Sequence, residues 1–236
     1  MILKVSRKFS VAVQFILDEL VPPIVRDSKW FMYLPMRFVL KDSVKDFMTF
    51  KNSVFGMDKK EFGSLYERTS HVQELQGETD LNIECAEAIL ETITSKKVLE
   101  VGCGRGYLAG KMTNAGMNVT ACDIVITKQL KNKYPDVKFV SGNIEALPFK
   151  DNSFDVVVTT HTLEHVQNLP LAMSELRRVA KKQLIVVVPR QRPYKYTFSL
   201  HTQFFPYEWS IRNAFGYRKS ATVKKLGDWF YSEDIL

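Results

Sequence analysis

Three features of this sequence predict an α/β fold. From Lys96 onward, short apolar strands alternate with amphipathic helices; a glycine-rich turn follows the first strand; and a later strand carries Val156-Val157-Val158, a run suited to burial on both faces. The expected sheet has seven strands, is mostly parallel and is flanked by helices, with a helical extension in front of it. At 236 residues the chain suits one sizeable domain with an appendage better than two independent enzymes. The spacing divides it into an extension over residues 1–75 and a domain over 76–236.

The elements follow in order. Val13, Ile16, Leu17 and Leu20 fall at helical spacing, so residues 10–20 read as an amphipathic helix stopped by Pro22-Pro23. Residues 24–60 are rich in aromatics and irregular in period, with short helices expected around 36–50. Leu81, Cys85, Ile89 and Ile93 form a helical stripe that Thr79 or Asp80 would cap. Strands are then expected at 98–101, 119–122, 137–141, 154–160 and 184–188. Between them lie helices over 107–115, 126–133 and a stripe from Leu169 to Val179. A helix over 206–214 and strands at 221–225 and 229–231 complete the seven.

Composition narrows the class. With 45% hydrophobic and 25% charged residues, the chain is neither disordered nor collagenous. Its formal charge of +7 is uneven: residues 1–60 hold eleven Lys/Arg against six Asp/Glu, while residues 61–95 hold one against eight. Such a balance keeps a protein soluble and can favour anionic partners. Lys4, Arg7 and Lys8 precede a short apolar stretch ended by Asp18 and Glu19, without a cleavage-site pattern. The run from 30 to 40 contains Pro35 and Arg37 and is too short to span a bilayer. A cytoplasmic protein is expected, with Cys85, Cys103 and Cys122 as reduced, buried thiols that share no metal-ligand spacing.

The main chemical signal is Glu100-Val101-Gly102-Cys103-Gly104-Arg105-Gly106, directly after the first strand. Glycine permits close backbone approach, and a turn between a parallel strand and a helix N-terminus makes a nucleotide or nucleoside site. The glycines depart from the G-x-G-x-x-G spacing, which leaves nicotinamide dinucleotide binding as a minority reading, and no Lys-Ser/Thr follows, which excludes a P-loop. Asp123, ending the second strand, is positioned to accept hydrogen bonds from a ribose diol.

Residues 98–108 resemble the first motif of class I S-adenosylmethionine methyltransferases, and Asp123 resembles their acid after the second strand. Residues 142–149, 151–156 and 163–166 are similar to the branch that includes the ubiquinone- and menaquinone-biosynthesis enzymes. The resemblance covers about 95–232 and implies a Rossmann-like sheet binding S-adenosylmethionine and releasing S-adenosylhomocysteine. It further implies that Gly102, Cys103 and Gly104 line the methionine and ribose through backbone, and that Glu100 acts near the methionine amine. Asp123 would hold the ribose, Ile124 would pack on adenine, and Asn143 and Ile144 would flank the adenine edge; many relatives carry Asp at 143. His161 would lie near the methyl donor.

A hydroxyl acceptor benefits from a general base, for which histidine is suited. His161 and His201 are the candidates, while His165 reads better as a helix-capping residue. On that ground O-methylation of a small-molecule or lipid-linked acceptor is slightly favoured. Thr160-His161-Thr162-Leu163 replaces the Asn/Asp-Pro-Pro-aromatic motif of base N-methyltransferases, so nucleic acid is not the expected substrate. Val13, Phe15, Ile16, Trp30, Phe31, Met32, Tyr33 and Phe38 either pack on a core, line an acceptor pocket or meet the inner membrane surface peripherally. A non-catalytic S-adenosylmethionine-binding regulator, or a nicotinamide oxidoreductase, are the alternatives from other classes.

Overall fold

The computed structural model describes residues 12–13, 15–73 and 79–235; Lys4, Arg7 and Lys8 lie outside the described residues. The chain divides into two compact units, Met1–Asp80 with Gln191–Phe204, and Leu81–Arg190 with Phe205–Leu236.

The first unit is helical. A π-helical turn, Ile16–Leu20, ends at Val21, and Pro23 opens a single α turn, Pro23–Arg26, at the first position, where its missing N–H is not needed. Three helices follow: α1 (Lys29–Leu40), α2 (Val44–Ser53) and α3 (Lys59–Gln73). The irregular period of residues 24–60 therefore conceals regular helix, and α1 continues through Pro35 although that residue donates no hydrogen bond. Met32, Met36 and Leu40 of α1, at i, i+4 and i+8, pack with Val44, Phe47, Phe50 and Leu65. Tyr196 and Leu200, from the segment that returns after the fifth strand, complete this core. That segment is pinned by polar contacts: Arg26 donates to the Pro193 carbonyl (3.3 Å), Lys195 N–H donates to Asp27 (2.9 Å), and Tyr194 donates to Asp18.

Of the stripe expected over residues 10–20, Val13 and Leu17 are half-buried while Ile16 and Leu20 are exposed, and Phe15 beside it is exposed as well. Trp30, Phe31, Tyr33 and Phe38 are exposed too, so of the α1 residues expected to pack, Met32 alone does so. The helix is apolar on more than one face and uses only one of them in this core.

The second unit is a seven-stranded sheet in the order β3-β2-β1-β4-β5-β7-β6. The strands are β1 (Lys97–Val101), β2 (Asn118–Asp123), β3 (Lys138–Ser141), β4 (Phe154–Thr160), β5 (Ala180–Val188), β6 (Thr222–Leu226) and β7 (Asp228–Asp234). The first five pair in parallel, and β7 runs antiparallel to both β5 and β6. The mostly parallel, Rossmann-like sheet expected from the sequence is thus present. Successive side chains point to opposite faces, as strand geometry requires. Leu99, Val157, Leu184, Val186 and Tyr231 enter one core, and Val98, Val156, Val158, Ile185 and Phe230 enter the other.

Helices α4 (Ile83–Thr92), α5 (Tyr107–Asn114) and α6 (Lys128–Lys133) bury residues in the second core, and α7 (Leu169–Val179) and α8 (Glu208–Phe215) in the first. The cap of α4 is Asn82, whose side chain accepts from the Cys85 N–H, rather than Thr79 or Asp80. The antiparallel end of the sheet is fixed by charge. Buried Glu233 on β7 takes both Arg177 Nε (2.6 Å) and Nη2 (3.0 Å) from α7 and the Tyr231 hydroxyl (2.6 Å). Charge-assisted bidentate geometry of this kind fixes direction as well as distance. All three cysteines are buried free thiols, and among the described residues no helix is long and apolar enough to cross a membrane.

Candidate functional site

The site is built at the carboxyl ends of β1, β2 and β4. Gly102, Gly104 and Gly106 adopt φ of +75°, +47° and +74°, a region in which side chains are strained. Their environments differ. A Cβ on Gly102 would sit 2.0 Å from Thr162 Oγ1, so this glycine is needed for close approach between the β1 turn and the turn after β4. Nothing lies within 4 Å of a Cβ on Gly104, which faces open space. The N–H groups of Gly102 and Cys103 donate to the Cys122 carbonyl (2.8 and 3.2 Å), tying the turn to the end of β2.

Two carboxylates meet there. Asp123 accepts from the Gly104 N–H (2.8 Å) and the Val125 N–H (3.3 Å). Burial raises its pKa, and the N–H groups of Gly104, Val125 and Ile124 pull the other way. Glu100 is buried, and its Oε2 has no hydrogen-bond partner. Burial and the neighbouring Asp123 push Glu100 up to about 8, against the N–H of Ala109, a shift that favours the protonated carboxyl. The Cys103 thiol is likewise pushed up by burial and by the two carboxylates, and Cys122 by burial and Asp123 to about 12. Both shifts disfavour the thiolate, the form in which a cysteine acts as a nucleophile.

Ile124 is 56% exposed beside Asp123, an apolar side chain left in solvent at the mouth of the site. Asn143 and Ile144 play different parts. Asn143 Oδ1 accepts from the Glu145 N–H (2.8 Å), closing its own turn, and Ile144 is buried in the core beneath. The run from 142 to 151 is largely architectural. A Cβ on Gly142 would meet Pro148 and Cys122, and Arg178 from α7 clamps the turn through the carbonyls of Leu147 (3.1 Å) and Phe149 (2.7 Å) and the carboxylate of Asp151 (2.8 Å).

His161, a candidate general base, lies between two carboxylates. It directly follows β4 with φ +50°, and its N–H donates to the Val187 carbonyl (2.9 Å). Nδ1 lies 3.4 Å from Glu164 Oε1 and Nε2 lies 3.4 Å from Asp228 Oδ2. Burial alone would lower its pKa, but the flanking carboxylates of Asp228 and Glu164 outweigh burial and push it up to about 10. A shift in that direction favours the imidazolium, the form with no lone pair to take a proton. Sequence reasoning missed Asp228, which also receives Asn82 Nδ2 (2.8 Å); no local pattern links positions 82, 161 and 228. His165 ends the short 3-10 turn Leu163–His165, and its N–H donates to the Thr162 carbonyl (3.0 Å).

His201 belongs to the helical unit. Its Nδ1 lies 2.6 Å from Gln191 Oε1. Because that amide oxygen can only accept, Nδ1 carries the proton and Nε2 is the basic nitrogen. The structure thus assembles Glu100, Gly102, Cys103, Gly104, Asp123 and Ile124 around one turn, holds His161 against two acids, and puts His201 in the other unit.

Residues 99–188 match the methyltransferase domain family. Demethylmenaquinone methyltransferase of Renibacterium salmoninarum is 36% identical over 91 residues, covering 38% of this chain and 38% of that protein. Malonyl-[acyl-carrier protein] O-methyltransferase of Erwinia pyrifoliae is 36% identical over 108 residues, covering 43% and 41%. The chain therefore spans about two fifths of the length of these curated relatives. Among solved structures, a Pyrococcus horikoshii protein superposes with a TM-score of 0.53 at 16% identity, covering 83% of this chain and 99% of that one. A methyltransferase of Aquifex aeolicus, described as dependent on S-adenosylmethionine, gives 0.52 at 19% identity, covering 76% and 100%. These two establish the fold alone. Sheet order, glycine turn and sequence match agree, and residues 99–188 belong to the class I S-adenosylmethionine-dependent methyltransferases, in their type 11 branch.

Proposed function

We propose that this chain transfers a methyl group from S-adenosylmethionine to a small-molecule or lipid-linked acceptor. The observation that carries this reading is the pair of carboxylates, buried Glu100 and half-buried Asp123, at the carboxyl ends of β1 and β2. Glu100 holds an oxygen without a hydrogen-bond partner beside the glycine turn, and Asp123 stands next to an exposed Ile124. A buried carboxyl without a partner is costly, and an amino group would compensate it. In this reading Glu100 pairs with the methionine amine, Asp123 accepts from the ribose hydroxyls, and Ile124 covers one face of adenine. The backbone at Gly104 leaves room for the chain of the nucleoside.

When bound, S-adenosylmethionine supplies an activated methyl on a sulfonium, so the protein's work is alignment and exclusion of water. His161 holds positive charge between Glu164 and Asp228 and orients the turn that carries Thr162. It acts as a positioning residue. Oxygen as the acceptor atom is favoured because one of the similar proteins is by its name an O-methyltransferase. The other acts, by its name, on demethylmenaquinone, which supports an apolar or lipid-like acceptor.

Thermal unfolding with S-adenosylmethionine, S-adenosylhomocysteine and NADH in parallel tests the reading. A ligand that binds only the folded state adds about 2.7 kcal/mol at a hundredfold excess over its dissociation constant. Stabilisation by both sulfur nucleosides, lost in Asp123→Ala, is the expected result. Stabilisation by NADH alone would overturn it. Formation of S-adenosylhomocysteine in the presence of a quinone-like or acyl-linked acceptor then separates an enzyme from a binding protein without turnover.

A further inference from the structure

We propose that α1 docks this chain on an anionic lipid surface, with the helix lying in the plane of the headgroups. Residues at i, i+3, i+4 and i+8 form the stripe: Trp30 is 88% exposed, Tyr33 41%, Leu34 72% and Phe38 78%. The opposite side of the same helix, Met32, Met36 and Leu40, is already packed in the helical unit's core. The exposed stripe is therefore not a core face left over from one packing requirement, because that requirement is met elsewhere. A soluble helix normally shows one apolar face, and a helix apolar on both sides has a second apolar medium to meet.

Chemistry selects the medium. The stripe is aromatic, and tryptophan and tyrosine favour the boundary between acyl chains and water, where a large apolar ring and a polar edge are both accommodated. Helix α1 contains Lys29 and Arg37 and no acid, and Lys41 follows it, so cations border the stripe. Arg37 is shared with exposed Asp42 at 3.5 Å, which leaves Lys29 and Lys41 as the exposed cations nearest the stripe's two ends. Long basic side chains reach from an apolar face to phosphate headgroups, and each adds attraction to anionic lipid. Twelve residues at 1.5 Å rise make a helix of about 18 Å, too short to cross the hydrocarbon and suited to lying along it. Ile24, 85% exposed just before the helix, extends the apolar surface. A second copy is a poorer occupant, since pairing this face with itself would bring the cations of one helix near those of the other with no acid on the helix to offset them.

This inference does not depend on the methyl-transfer reading, and its test reads binding rather than turnover. The full chain is sedimented with vesicles of phosphatidylcholine alone and with vesicles containing roughly a third phosphatidylglycerol, at low and high salt. The expected result is binding to the anionic vesicles, weakened by salt, and reduced about tenfold or more in a variant carrying Leu34→Glu and Phe38→Glu. Both positions are exposed, so circular dichroism and the melting temperature should match those of the parent. As a conservative second measurement, anionic vesicles should shift tryptophan emission to the blue, and Trp30→Phe should remove that shift while keeping sedimentation. No sedimentation with either vesicle overturns the proposal, as does binding that the double variant leaves intact. A dimer in solution that the double variant dissolves, without vesicle binding, would assign the face to a second copy and also overturn it.

Discussion

The two units of this molecule arrange apolar residues by opposite rules. In the sheet, alternation along each strand sends Leu99 to one core and Val98 to the other, and the helices packed on it bury an apolar face in one of these cores. In the helical unit, α1 has one apolar face in the core and a second in solvent. The sheet unit is therefore specified almost wholly by burial, with polar clamps fixing its far edge. The helical unit carries more apolar surface than its own core uses. The two units should therefore respond differently to substitution.

The largest effect is expected at the clamp of the sheet. Arg177→Met would strand Glu233, which is buried and accepts three hydrogen bonds, two of them from Arg177. Removing one partner of a buried pair costs about 3–5 kcal/mol, because the remaining charge keeps its desolvation penalty. Urea unfolding followed by far-ultraviolet circular dichroism measures it. A loss below about 1 kcal/mol would mean that apolar burial alone fixes β7, and the comparison above would need no polar component.

Met36→Ala is the matching change in the helical unit. Met36 is fully buried among Phe47, Phe50 and Leu65, and truncation of a buried methionine costs about 2–5 kcal/mol. Limited proteolysis should detect it as earlier cleavage within residues 23–58, with the sheet unit still protected.

The pH response sharpens the contrast, because the strongly shifted site groups belong to the sheet unit. Between pH about 6.5 and 10 the folded chain keeps a proton on His161 that the unfolded chain has released. Stability contributed by that proton is complete below pH about 6.5 and lost as pH rises toward 10. Glu100, raised from 4.5 to about 8, keeps its proton in the folded state and lowers stability over that earlier window, in the same direction. Each group contributes a slope of about 1.4 kcal/mol per pH unit in its window. His161→Gln should flatten the alkaline part and Glu100→Gln the neutral part of a stability–pH curve. A curve unchanged by either substitution would show that the acids around the site do not hold these protons.

How much of this was legible follows from the same physics. Strand alternation and the glycine turn are local patterns, so the seven strands and the residues around Gly102 and Asp123 are legible in the sequence, although β5 starts four residues before the expected 184 and β7 extends beyond the expected 229–231 at both ends. Asn82, His161 and Asp228 are joined across 146 positions by a hydrogen bond and an ion contact, and nothing in their neighbours marks the pairing. His161 accordingly reads as a base from its position at the end of β4 and becomes a cation only when both acids are in place. Helix α1 was obscured for a different reason. With apolar residues on two faces it has no single stripe, and Pro35 argues locally against a helix that tertiary packing nevertheless continues.

The smallest expected effect is the one that separates the two rules most cleanly. Leu34→Glu, two residues from Met36 on the same helix, replaces a side chain that is 72% exposed. Substitutions at such positions usually change stability by within about 0.5 kcal/mol, whereas Met36→Ala should cost several times more. The melting temperature of Leu34→Glu should therefore stay at the parent value, or rise slightly if the exposed apolar surface promotes association when the protein is heated. A destabilisation comparable to that of Met36→Ala would mean that Leu34 is covered in the folded protein, and α1 would then obey the same single rule as the helices of the sheet. If Leu34→Glu is neutral and Met36→Ala is not, two faces of one helix answer to two different selections: one to folding, the other to whatever the helix meets outside the fold.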